Sequence, residues 1–175
     1  ERGFSGTSAL EGKYGMMAFD LLYPANLARF DANFTAKKTV LAADNHLIFV
    51  GSNINSSDKD HPVETTLFQH AITPELNTIW INGQKIEGFP YQTTLKQGDW
   101  IIDSNGNGYL ITQAEKVNVS RQHQTSAENK NRQPTQGNFS SAWIDHGIQP
   151  KDHSYEYMVF LDATPEKMAQ LAEKF

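Results

Sequence analysis

The sequence predicts a mostly β fold in which antiparallel strands form sheets that pack face to face, an antiparallel β-sandwich. Runs of β-branched and aromatic residues recur, clusters of Gly, Pro, Asn and Asp separate them, and several runs alternate apolar with polar residues. The predicted strands are Gly15–Tyr23, Lys37–Ala43, His46–Ile54, Val63–Ile72, Asn77–Asn82, Asp99–Asp103, Tyr109–Ala114, Val117–Gln124 and Tyr155–Asp162.

Turn residues indicate that several of these strands form hairpins. Asp44–Asn45 separates two apolar runs, and Asn and Asp tolerate a positive φ. Asn82–Gly83 is the strongest hairpin signal in the chain. The segment Asp103–Gly108 is predicted to join two further strands.

One helix is predicted at the end of the chain. Thr164 can cap it and Pro165 suits its first position. Met168, Leu171, Ala172 and Phe175 then share one face. A short helical turn is the weaker prediction for Ala25–Phe30, and irregular loops are predicted for Asn55–Pro62 and Arg121–Ser141.

Composition limits the classes of function. The 175 residues carry no cysteine, which excludes disulfides and a cysteine nucleophile. A net charge of −5 argues against a nucleic-acid protein that relies on bulk charge, and no apolar run is long enough to span a membrane. The chain begins at Glu1 without methionine and ends at Phe175 within the predicted helix, so we expect a piece of a larger protein.

Two acidic segments resemble metal loops. Asp103–Gly108 matches the first half of a calcium loop, but Ala114 stands where the bidentate Glu belongs, so a hairpin turn is favoured. Asp58, Asp60 and His61 lack an evident fourth ligand, and a solvated loop is favoured there. No cofactor is predicted, although a divalent cation stays an open alternative.

A local basic cluster stands out on this acidic chain, and it could contact an anionic polymer through bidentate guanidinium groups. Its members are Arg121, His123, Lys130 and Arg132. The alternative is a solvated loop, since Glu128 partly offsets the charge.

Aromatic side chains offer a second way to hold a sugar. Trp80 and Trp100 lie in apolar runs, which favours core packing. Core packing is also favoured for Trp143, but this residue follows a polar segment and is the best candidate among the three for an exposed platform.

Glu64 and His70 would point to the same face of one extended strand. Six residues at about 3.3 Å each separate them by roughly 20 Å, so they cannot form an acid–base pair with each other. Any partner of Glu64 must come from elsewhere. The residues alone lead to a β-sandwich domain or fragment, with a carbohydrate-facing surface as one open alternative.

Longer motifs identify a family. Gly51-Ser-Asn-Ile-Asn-Ser-Ser, followed by Val63-Glu-Thr-Thr-Leu-Phe-Gln69, resembles the central β-domain of polysaccharide lyase family eight, the chondroitin and hyaluronan lyases. Ala42-Ala-Asp-Asn-His-Leu-Ile-Phe, Gln97-Gly-Asp-Trp and the run from Asp103 to Gln124 resemble it closely too. The resemblance covers essentially the whole chain.

The resemblance implies that residues 1–175 form part of a supersandwich of the galactose mutarotase type. It implies a larger lyase that cleaves glycosaminoglycans at a uronic acid by β-elimination, with catalytic Tyr, His or Asn, and Arg on a separate α/α-toroidal domain. That domain and a sulfated glycosaminoglycan are the expected partners, without nucleic acid or membrane. A secreted or periplasmic bacterial location is also implied.

Glu64 is the residue that the resemblance adds to the catalytic constellation. A carboxylate beside the uronate would be repelled by it, so Glu64 is expected to hold the catalytic Arg rather than to act as the base. Arg121, His123, Arg132 and Trp143 are the expected substrate contacts. The fragment alone is expected to be inactive, and the alternative is a non-catalytic carbohydrate-binding module.

Overall fold

The structure, a computed structural model, describes residues 3–22, 31, 33–126 and 134–175. These residues form 13 strands and one helix. In chain order they are β1 (Ser5–Leu10), β2 (Tyr14–Leu22), β3 (Thr35–Ala43), β4 (His46–Asn55), β5 (Pro62–Ala71), β6 (Ile79–Ile81), β7 (Gln84–Ile86), β8 (Tyr91–Leu95), β9 (Trp100–Ile102), β10 (Gly108–Gln113), β11 (Val117–Thr125), β12 (Gln136–Ile148), β13 (His153–Phe160) and α1 (Pro165–Ala172).

The strands form two antiparallel sheets, which confirms the predicted fold class. One sheet has nine strands in the order β1-β2-β3-β4-β13-β10-β9-β6-β7. The other has four strands in the order β5-β12-β11-β8. All of the strand pairs are antiparallel. The apolar cluster that includes Ile111, Val119 and Ile144 lies between the sheets.

Aromatic rings fill much of the space between the sheets. Tyr157 stacks on Phe49 with ring centroids 4.9 Å apart, and Tyr155 stacks on Tyr157 at 5.8 Å. Tyr155 lies across the ladder from Gly51, where any Cβ would collide with the tyrosine ring. Gly51 is therefore needed so that the buried ring of Tyr155 can lie over the neighbouring strand.

Helix α1 packs on the other face of the nine-stranded sheet. Thr164 caps it by accepting a hydrogen bond from the Lys167 amide, and Pro165 starts it, as predicted. Met168 is fully buried against Gly108. Phe175 lies beyond the helix end and is 66% exposed, so its predicted place on the buried stripe is wrong. The described residues contain no helix long and apolar enough to cross a membrane.

The predicted turns are confirmed by backbone conformation. Asp44 has φ 50° between β3 and β4, and Asn82 and Gly83 have φ 48° and 85° between β6 and β7. Two consecutive positive φ values are typical of the tight hairpin turn that Asn-Gly favours. The segment Asp103–Gly108 connects β9 to β10, which confirms the hairpin predicted there.

The long polar stretch Arg121–Ser141 is not one irregular loop. β11 continues to Thr125 and β12 begins at Gln136, so both ends of the stretch are paired strand. Strands β1, β7 and β8 and the whole of β12 were absent from the prediction. The weak helical turn predicted for Ala25–Phe30 lies outside the described residues.

The β1–β2 hairpin at one edge of the larger sheet is poorly covered. Met16 and Met17 point to opposite faces of β2, and they are 43% and 44% exposed. Leu10 on β1 is exposed as well. Because four strands oppose nine, this end of the larger sheet extends past the smaller sheet.

His146 is a buried titratable group at one end of the inter-sheet core. It is 4% exposed and its ring lies edge-on to His153. Burial lowers the pKa of His146 to about 4, and the positive charges of His153 and Lys38 add to this effect. The negative charges of Asp145 and Glu115 oppose it only in part.

Gly51→Ala should destabilise the fold, because the added methyl group collides with the Tyr155 ring. We expect a loss of about 1–3 kcal/mol in the free energy of unfolding, measured by urea denaturation. Gly88→Ala is the matched control, since nothing lies within 4 Å of its Cβ position. A Gly51→Ala variant as stable as the control would contradict this packing.

Acid should weaken the fold through His146. The ordinary pKa of 6.5 applies to the unfolded chain and about 4 to the folded one, so between these values the unfolded chain binds the extra proton. The contribution of neutral His146 to the free energy of unfolding is therefore fully present above pH 6.5. It falls by roughly 3 kcal/mol as the pH drops towards 4. Urea midpoints across this pH range should fall less steeply in His146→Asn than in the wild type. His123→Gln, on the surface, should leave the slope unchanged, and equal slopes for all three proteins would refute the assignment.

Candidate functional site

Glu64 projects from the outer face of the four-stranded sheet, the face turned away from the core. In the ladder it lies opposite Asp145, while Thr65 and Ile144, which form the next rung, turn inward and are buried. Alternation along the four strands then gives this outer face a polar lining. Its members include Thr66, Gln69, Gln92, Thr94, Asn118, Ser120, Gln122, Gln124, Ser141 and Trp143.

A register shift divides β5 into two parts with opposite alternation. Thr66 pairs with Trp143 and Phe68 pairs with Ala142, which leaves Leu67 without a partner. The side chain of His70 therefore turns inward, and its Nε2 lies 3.1 Å from the buried carboxylate of Asp103. The expectation that Glu64 and His70 share a face is wrong for this reason, and the two do not act as a pair.

The carboxylate of Glu64 is available to a partner. Glu64 is exposed, and no Lys, Arg or His of the described residues lies within ion-pair distance of it. The neighbouring acid, Asp145, is already engaged by Lys116 Nζ at 3.1 Å. Burial opposes ionisation of Asp145, but the Gly147 amide and Lys116 outweigh it, so the pKa of Asp145 is lowered.

Amide side chains form a hydrogen-bonded row across the outer face. Gln69 donates to Gln124 with an Nε2–Oε1 distance of 2.6 Å, and Gln124 donates to Ser141 Oγ at 3.4 Å. Gln92 donates to Gln122 at 3.2 Å. Neutral donors and acceptors in fixed positions suit a ligand rich in hydroxyl groups.

Trp143 is the aromatic residue of this face. It is half-buried and lines one shallow groove with Glu64, Thr66 and three glutamines of the amide row, Gln69, Gln122 and Gln124. Its Nε1 and the Ser120 Oγ are buried without a hydrogen-bond partner. Trp100, in contrast, is 4% exposed beneath helix α1, and Trp80 packs on the same cluster, as predicted.

Arg121 is not the exposed contact residue that the sequence predicted. It is fully buried, and its guanidinium donates to Ile86 O at 3.1 Å and to Asn77 Oδ1 at 2.6 Å. It also donates to the carbonyl oxygens of Asn77 and Glu87. Its position on the inward side of β11 explains this, since a buried cation needs acceptors and these carbonyls supply them.

Of the other three members of the basic cluster, only His123 lies among the described residues. His123 is exposed, and its Nδ1 lies 3.1 Å from Asn138 Oδ1 on the neighbouring strand. Lys130 and Arg132 lie outside the described residues. The expected contact of His123 and Arg132 with substrate stays a prediction.

The two acidic segments form local turns. Asp58 accepts hydrogen bonds from the amides of Asp60 and His61, and its other oxygen lies 3.0 Å from His61 Nδ1. Asp103 accepts from amides of its own turn and from Tyr109 OH at 3.1 Å. Across the described ranges, no three His, Asp or Glu side chains are arranged to hold a metal ion.

Two features of the four-stranded sheet, one on its outer face and one on its inner face, were not predicted from the sequence. The hydrogen-bonded amide row is one of them: the strand Val117–Gln124 is predicted, and within it Asn118, Ser120, Gln122 and Gln124 alternate with inward residues, but the prediction of a loop from Arg121 onward hides this polar face. The hydrogen bond between Thr65 Oγ1 and His146 Nε2, 3.0 Å long, joins positions 81 residues apart. No local pattern predicts such a contact.

Comparisons with known proteins point to one family. Residues 1–172 match the super-sandwich domain of polysaccharide lyase family 8. The chain is 85% identical over its full length to chondroitin sulfate ABC endolyase of Proteus vulgaris and covers 17% of that protein. It is 40% identical to chondroitin sulfate ABC exolyase of Proteus vulgaris over 75% of this chain and 13% of the relative.

Solved structures agree on the fold. A Paenibacillus xanthan lyase superposes with a TM-score of 0.76 at 23% identity over 97% of this chain and 17% of the other chain. A chondroitinase AC lyase studied with oligosaccharides also gives 0.76, at 24% identity, over 97% of this chain and 24% of the other. The chain thus spans about a sixth of the endolyase that it matches. By sequence and by fold, it belongs to polysaccharide lyase family 8, as part of the super-sandwich domain.

Proposed function

We propose that this chain is the β-sandwich part of a lyase that cleaves chondroitin or dermatan sulfate by β-elimination. The observation that carries the proposal is Glu64, whose exposed carboxylate has no cationic partner in the described structure and lies in a groove with Trp143. The 85% identity to a chondroitin sulfate ABC endolyase supports the choice of substrate class.

The reaction defines what the groups must do. A base takes the proton from C5 of the uronic acid, the C–H electrons form the C4–C5 double bond, and the C4–O bond breaks. The leaving oxygen takes up a proton. Because the C5 proton is very weakly acidic beside a charged carboxylate, positive or hydrogen-bonding groups must neutralise that carboxylate in the transition state. In this proposal the family's Tyr, His or Asn, and Arg on the α/α-toroidal domain do this chemistry.

Glu64 is then a positioning residue. As a second anion near the uronate it would hinder proton removal if it were the base. A carboxylate can instead hold a guanidinium through two parallel hydrogen bonds, which fixes the position of the Arg that faces substrate. Its neighbour Asp145 is occupied by Lys116, which leaves Glu64 as the free acid of this groove within the described structure.

Trp143 and the amide row form the proposed substrate wall. The groove around them presents neutral side chains, with Glu64 as its charged member. Sugar rings and hydroxyl groups suit this surface, whereas sulfate groups need the cations of the other domain or of the segment that contains Arg132. The family resemblance also leads us to propose a secreted or periplasmic location.

Glu64→Gln in the full-length lyase should lower kcat on chondroitin sulfate by about a hundredfold, because the neutral amide no longer holds the Arg as an ion pair. KM should change little. The rate is followed by the ultraviolet absorbance of the unsaturated product. Glu11→Gln, at an exposed turn, is the matched control, and the 175-residue chain alone should show no turnover. A wild-type kcat in Glu64→Gln would contradict the role of Glu64.

A carbohydrate-binding module without catalysis is the second candidate, and the exposed groove beside Trp143 favours it. In that case this chain should bind chondroitin oligosaccharides in calorimetry, and Trp143→Ala should weaken binding by about tenfold, close to 1.4 kcal/mol. Tyr14→Ala, an exposed aromatic on the other sheet, is the control. Absence of heat with the wild-type chain at low salt would count against this candidate.

A further inference from the structure

The strand segment that carries Glu64 is held by few ladder contacts of its own. It spans three rungs between two register shifts. The first shift leaves Leu67 unpaired, and the second lies between Asp145 and Ile148 on β12. The three rungs are Glu64–Asp145, Thr65–Ile144 and Thr66–Trp143.

A short strand segment between two register shifts can change its pairing register more easily than a long continuous ladder. Side chains alternate with a period of two, so a slip by one residue would turn Glu64 towards the core and Thr65 towards solvent. The rungs on either side of the three-rung segment pair β5 with β12 in a register that differs by one residue. Those rungs therefore cannot by themselves enforce the register of the three-rung segment. A contact specific to the observed register is therefore needed.

Thr65 and His146 make such a contact. Thr65 Oγ1 lies 3.0 Å from His146 Nε2, and the two residues are 7% and 4% exposed. His146 lies within the second shift, next to Gly147 with φ 76°. The His146 ring also packs against Tyr155, with centroids 5.8 Å apart. The hydrogen bond thus ties the three-rung segment to a ring that the core already holds.

We propose that the Thr65–His146 hydrogen bond locks the register of β5 and that both residues are positioning residues for Glu64. Only the observed register turns both side chains inward so that they meet. In a slipped register, Thr65 would turn to solvent, so His146 would lose this hydrogen bond, and the carboxylate of Glu64 would be carried into the core, where burial of its charge is costly. The effect on turnover rests on the proposed function of Glu64, whereas the lock itself is a property of the fold.

The test compares Thr65→Val, Thr65→Ser and Thr39→Val in the full-length lyase. Valine keeps the shape of threonine without the hydroxyl, serine keeps the hydroxyl, and Thr39 is a strand threonine of the other sheet whose hydroxyl has no hydrogen bond in the described structure. We expect Thr65→Val to lower kcat by about tenfold with KM within roughly twofold, since misplacement of a catalytic partner affects the chemical step. Thr65→Ser should restore most of kcat, and Thr39→Val should match the wild type.

Amide hydrogen exchange of residues 64–66, read by mass spectrometry, gives a second readout that does not need activity. Exchange should be faster in Thr65→Val than in Thr65→Ser or the wild type. Unchanged exchange in Thr65→Val overturns the lock, and so does a Thr65→Ser variant as impaired as Thr65→Val. If Glu64→Gln is impaired while Thr65→Val keeps the wild-type kcat, positioning through the lock is refuted. If Glu64→Gln keeps full turnover, the proposed function of Glu64 fails, and the exchange rates alone then decide the lock.

Discussion

Strand β12 determines the geometry of the candidate site, because it pairs with β5 on one side and with β11 on the other. A strand with two neighbours has no free edge, so its side chains serve either the core or the outer face. Ala142 and Ile144 pack between the sheets, while Trp143 and Asp145 turn outward. The same pairing places Glu64 opposite Asp145, so that the groove follows from the way the small sheet is assembled.

The core beneath this sheet contains several tyrosine rings among its aliphatic residues. Rings of Tyr155, Tyr157 and Tyr109 approach one another, and Tyr109 donates to the buried carboxylate of Asp103. Burial, together with the negative charge of Asp103, raises the pKa of Tyr109. Phenols and imidazoles combine large apolar rings with polar atoms that need specific partners. Such partners fix how the two sheets lie on each other more narrowly than aliphatic packing does.

Sequence patterns predicted most of the fold but only part of the site. Alternation, apolar runs and turn residues identified most of the strands, including Tyr155–Asp162, and capping residues identified the helix start at Thr164. They failed for Gln136–Ser141, because its outward residues include Phe139 as well as Ser141 while its inward residues include the polar Ser140, so the usual contrast between an apolar inner face and a polar outer face is missing. Arg121 was misplaced since a buried arginine can be recognised only through the distant carbonyls that it meets.

The identity of the family came from long motifs, whereas the placement of Glu64 needed the pairing of β5 with β12. Register shifts depend on contacts between positions far apart in the sequence, and the sequence of one strand alone does not show them. This is why the prediction that His70 shares a face with Glu64 was wrong.

The poorly covered β1–β2 hairpin affects where a protease can cleave the chain. Separating the hairpin from β3 breaks ladder hydrogen bonds but exposes little buried apolar surface. Both faces of β2 already meet solvent, as the exposed side chains of Met16 and Met17 show. Local opening therefore requires less free energy at this end than in the sandwich. A protease can reach this hairpin through such openings while Glu64 and its groove stay folded, so cleavage near Tyr14 reports on the sheet edge and not on the site.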